Sequence, residues 1–131
     1  MAAFNYTSEA DKRNDVDILN RALFFEHRGV WAYGFAAGRV SSSDVGKAVL
    51  TLASENRSDH EKHQDLLRDA IVGLGGNPIK MQDGYDLSSL ISRGHGNVDS
   101  DVNIAKLALA LEVGAGVPGS GSGGGGGDVP R

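Results

Sequence analysis

The 131-residue chain contains no cysteine, which removes disulfides, thiol catalysis and sulfur-ligated metals at once. Any metal site must therefore draw on His, Asp and Glu. No run of about 18 apolar residues occurs, so nothing reads as a membrane span. The opening Met-Ala-Ala-Phe-Asn-Tyr-Thr-Ser-Glu-Ala-Asp-Lys-Arg lacks the basic start and apolar core of a secretory signal. A cytoplasmic protein is expected, or a periplasmic one if a signal has been removed. Basic residues are in deficit: 13 Lys and Arg against 17 Asp and Glu leave a net charge of −4 and a pI near 5.4. With those cations scattered, neither nucleic acid nor membrane is an expected partner. Strand-like alternation and short repeats are also missing, which leaves helices.

Two long helices are expected near residues 9–38 and 44–74, a short one near 86–92 and a third long one from about 99 to 115. Ser8 is a candidate N-cap for the first, Ser41-Ser42-Ser43-Asp44 for the second and Asp99-Ser100-Asp101 for the last. Gly73-Leu74-Gly75-Gly76-Asn77-Pro78 stops the second helix. The short connection near residue 40 makes the first two helices antiparallel neighbours, and the long link over 79–98 lets the last run parallel to the second. From Gly114 onward the chain turns to Gly and Ser, ending in five consecutive glycines and Asp-Val-Pro-Arg. Such a segment costs too much backbone entropy to order and has little to bury. We therefore expect a helical domain over 1–116 and a disordered tail or appended linker over 117–131.

Helical spacing places Val16, Leu19, Leu23, Glu26, Val30, Tyr33 and Ala37 on one face of the first helix, widened by Ile18, Phe25, Trp31 and Ala32. In the second it aligns Val45, Val49, Leu52, Asn56, His63, Leu67, Ala70 and Leu74, so His63 is expected inward with Asp59 and His60 one turn back. In the last, Val102, Ala105, Leu109, Glu112 and Gly116 form the stripe, flanked by Ile104, Leu107, Ala108 and Leu111. Two carboxylates, Glu26 and Glu112, thus interrupt apolar faces, where an unpaired charge costs several kcal/mol. The plain reading is a satisfied core histidine and salt bridges, with Arg28 or Arg57 as partner of Glu26. The sharper one is a metal site, with Glu55 and Asp59 expected closer to the level of Glu26 than His63 is.

The segments Leu23-Phe24-Phe25-Glu26-His27, Asp59-His60-Glu61-Lys62-His63 and Leu109-Ala110-Leu111-Glu112 resemble the ligand-bearing helices of the ferritin-like superfamily, of the bacterial rubrerythrin type. The resemblance spans roughly residues 15–116. It implies an all-α bundle holding a di-iron centre, with carboxylates bridging the irons and an imidazole on each. Carried onto this chain it names Glu26, His63 and Glu112 as metal ligands, completed by His60, Asp59 or Glu55. Two departures stand out. His60 occupies the position where the family has Glu, and no fourth helix with its own Glu-x-x-His follows. A three-helix piece leaves an apolar groove, so a homo-oligomer is expected, with iron as cofactor and a ferroxidase or peroxidase-like activity as the possible chemistry. The competing expectation is a structural or assembly module that kept the fold and lost the metal.

Overall fold

In the computed structural model, residues 8–93 and 100–116 are described, with side chains over 8–91 and 100–112. Four helices follow in order: α1 (Glu9–Ala37), α2 (Asp44–Gly73), α3 (Ser88–Arg93) and α4 (Asp101–Gly116). No strand occurs among the described residues. The expected tail over 117–131 and the cap at Asp99 lie outside them.

The helix starts follow from local chemistry. Ser8 Oγ accepts from the Asp11 amide at 3.1 Å, Ser43 Oγ from Gly46 at 3.0 Å and Ser100 Oγ from Asn103 at 3.2 Å, each satisfying an amide that the first turn leaves unpaired. At Gly46 any side chain would force the backbone to shift, because a Cβ would stand 2.1 Å from the Ser41 carbonyl oxygen. The Asp101 carboxylate then accepts from the Ser41 amide at 2.8 Å and from the Ser41 and Ser43 hydroxyls at 2.6 and 3.1 Å. This ties the start of α4 to the start of α2, so the two helices run parallel while α1 runs against both.

The link between α2 and α3 is pinned along α1. Asn20 donates to the Asn77 carbonyl at 3.1 Å and accepts from the Ile79 amide at 2.9 Å. The wholly buried His27 donates from Nε2 to the Ile79 carbonyl at 3.0 Å, and Gln64 donates to its Nδ1 at 2.8 Å. Tyr85 closes on Phe24 and Trp31, with ring centroids 5.6 and 6.0 Å away. Leu87 and Leu90 bury themselves in the core with Ala32, Tyr33, Ala53, Leu107, Ala108 and Leu111. Much of the aromatic surface of α1 is thus covered by the chain's own crossover.

The buried faces differ from the expected ones by about one residue's rotation. On α2 the interior stripe is Gly46, Val49, Ala53, His60, Gln64 and Ile71, while Val45, Leu52, Ala70 and His63 are exposed. On α4 Ile104, Leu107, Ala108, Ala110 and Leu111 are buried, while Val102, Leu109 and Glu112 are exposed. Ile18 on α1 is exposed as well. On α2 the reason is close approach: Gly46 and Ala53 at the contact bring the helices together, whereas a stripe drawn through the larger Val45 and Leu52 falls one residue off the interface.

Candidate metal centre

The centre is built from one face of each long helix. On α1, Glu26, Gly29 and Tyr33 follow one another at i, i+3 and i+7. Gly29 leaves room for the ring of His60: a Cβ there would stand 3.3 Å from three of its atoms. The His60 ring also stacks on Tyr33 at 5.6 Å. These contacts fix the level at which α2 meets α1. Glu26 faces His60 and His63; Asp59 stands one residue before His60 but on the exposed side of α2, and Glu55 lies about one and a half turns earlier.

His60 stands between two carboxylates. Its Nδ1–H donates to Glu26 Oε1 at 2.5 Å and its Nε2–H to Glu112 Oε2 at 2.9 Å. Its side chain is 7 % exposed. The hydrogen bond to Glu26 is the largest cause that pushes the His60 pKa up to about 9; burial opposes it, and Glu112 adds to it. The Glu112 oxygen that receives His60 also receives the Tyr33 hydroxyl. Asn56 in turn donates to the Tyr33 oxygen at 3.2 Å, and the Ala108 carbonyl lies at the same distance. Burial first, then the Glu112 carboxylate, holds the Tyr33 phenol far above its usual range. The result is one directional chain of donors, Asn56 to Tyr33 to Glu112, meeting the His60 ring from the other side.

His63 approaches Glu26 Oε1 through Nδ1 at 3.3 Å, yet its side chain is 53 % exposed. The expectation that His63 and Glu112 are buried is therefore corrected. His60 is the interior imidazole, while Glu112, 45 % exposed, lies at the open side. Residues three apart on a helix differ by only about 60° around its axis, so a small rotation of α2 exchanges which of the two faces in. The expected salt bridge to Glu26 is made by His60; Arg57 is 3.9 Å from Glu61 instead. Asp59 and Glu55 are exposed on α2, outside the cluster. Gly29 and Gln64 went unrecognised in the sequence, although a stripe drawn through Gly46 and Ala53 leads to Gln64.

One ligand atom each from Glu26, His60 and His63 lies within 4.8 Å of the others, a group that could hold a metal ion. A family model described as a ferritin-like domain matches residues 14–117. The chain belongs to the ferritin-like domain family. No curated protein and no solved structure matches it.

The donor set of this ferritin-like chain suits one ion better than two. Two imidazole nitrogens and one carboxylate oxygen form a set that first-row divalent metals accept, with further positions left for water. A di-iron centre shares several carboxylates between its metals. Here Glu26 supplies the only carboxylate in the group, and Glu112 approaches the opposite edge of His60. Among the described residues no helix is long and apolar enough to cross a membrane.

Proposed function

We propose that this ferritin-like protein binds a divalent first-row transition metal, iron foremost, through Glu26, His60 and His63. The observation that carries the reading is the convergence of these three donors within 4.8 Å. Bound iron would supply one-electron ferrous–ferric chemistry. The chain's own part is to hold two imidazoles and a carboxylate on facing helices, with His60 in the interior and His63 half-exposed beside it. Anaerobic titration with ferrous iron, followed by calorimetry and elemental analysis, tests it. We expect about one ion per chain for the wild type and at least tenfold weaker binding for His63→Ala. No retained metal after loading would sink the proposal.

A second reading has its own supporting observation. Both nitrogens of His60 already rest on carboxylates, so a protonated imidazole can take the place of a metal as the positive charge between Glu26 and Glu112. The chain is then a structural or assembly module of the ferritin-like fold. Failure to bind iron, with the ion pairs intact, would favour it.

Association with a second copy of the chain belongs to the same proposal. Val45 and Leu52 continue the exposed side of α2 that carries His63, and Val102 and Leu109 continue the side of α4 that carries Glu112. A second copy seated there would cover this apolar rim and bring further carboxylates toward the first copy's site.

A further inference from the structure

Resting on the metal-binding reading, we infer that Glu112 is the positioning residue for His60 and not a ligand. Its carboxylate holds the Nε2–H and leaves Nδ1, the nitrogen facing Glu26 and His63, to bind the metal. The two nitrogens of an imidazole point to opposite edges of the ring, so a group bonded to one is turned away from an ion held at the other. Glu26 lies 2.5 Å from Nδ1 and Glu112 lies 2.9 Å from Nε2. His63 shares the Glu26 oxygen, which places the second imidazole on the Nδ1 edge too.

Glu112 is itself held. The Tyr33 hydroxyl has one proton, and the carboxylate is a stronger acceptor than the Ala108 carbonyl, so that proton goes to Glu112. Asn56 fills an acceptor position on the phenol oxygen. The ring has little freedom to turn, with Gly29 beneath it and Tyr33 stacked beside it. A carboxylate on the far nitrogen of a ligating histidine fixes its tautomer and raises its basicity, and losing such a partner weakens metal binding 10–100-fold. Tyr33 and Glu112 therefore act on the metal through His60 alone.

The test follows the two imidazole N–H protons of His60 by nitrogen-edited NMR in the metal-free protein, then adds Zn²⁺, with calorimetry in parallel. Glu26→Ala should remove the Nδ1–H signal and Glu112→Ala the Nε2–H signal, which assigns them. Zinc should extinguish Nδ1–H and leave Nε2–H. Zinc affinity should fall roughly 10–100-fold in Glu112→Ala with stoichiometry unchanged. Glu112→Gln, whose amide oxygen still accepts, should recover part of the loss, and Tyr33→Phe should show a smaller loss of the same kind. Zinc that binds yet extinguishes Nε2–H, or a change of stoichiometry in Glu112→Gln, would make Glu112 a ligand and overturn the inference while sparing the metal site. Zinc that does not bind at all defeats the metal-binding reading and this inference with it. In that case loss of Nε2–H in the metal-free Glu112→Ala variant still separates a held ring from an unheld one.

Discussion

Raising the pH strips a proton from His60, and the metal-free protein should lose stability as it does so. In the folded chain His60 is held up to about 9, against 6.5 for an unperturbed imidazole, chiefly by its bond to Glu26. A group whose folded pKa lies above its unfolded value stabilises the fold fully below the unfolded pKa. That contribution then fades as pH rises through the folded one. The window is therefore pH 6.5 to about 9. At about 1.4 kcal/mol per pH unit, the displacement amounts to about 3 kcal/mol, and with the side chain only 7 % exposed solvent screening takes little from it. Urea unfolding after chelation, compared at pH 6 and 9.5, measures this directly. With a slope of about 1.5 kcal/mol per M, the midpoint should fall by about 2 M. His60→Gln supplies the control, since its profile over the same range should be nearly flat. A midpoint that rises with pH, or an equal fall in His60→Gln, would refute the account of His60 as an imidazolium between two carboxylates.

Other outcomes follow from particular contacts. Gly46→Ala places a methyl 2.1 Å from the Ser41 carbonyl oxygen, so the turn must move; a loss of about 1–3 kcal/mol is expected in denaturant unfolding, and a neutral variant would mean the turn yields freely. Leu52 and Leu109 are 45 % and 66 % exposed, and if a second copy covers them, Leu52→Lys with Leu109→Lys should lower the mass seen by analytical ultracentrifugation while leaving helicity unchanged. A wild type that sediments as a monomer at micromolar concentration would count against that association.

The features legible from residue order alone are those that depend on neighbours along the chain. Ser8 and Ser43 cap the helices because a hydroxyl three residues before an amide is placed to accept from it wherever the chain lies in space. The Gly-Gly-Asn-Pro stop at the end of α2 is local in the same way, and the lengths of the connections were enough for an antiparallel pair followed by a parallel third helix. Glu26 was legible as a site residue because a carboxylate within an apolar face demands a partner. Which partner it took was decided only by the tertiary structure. Gly29 lets His60 come against α1, and that approach sets both the stagger of the helices and the rotation of α2. His60 went in, His63 stayed at the surface, and Asp59 and Glu55 fell outside the cluster. The edge of His60 that Glu112 meets is likewise set by the packing of α4 against Tyr33. Periodicity distinguishes faces about 100° apart, whereas His60 and His63 differ by about 60°, so only the packed interface separates them.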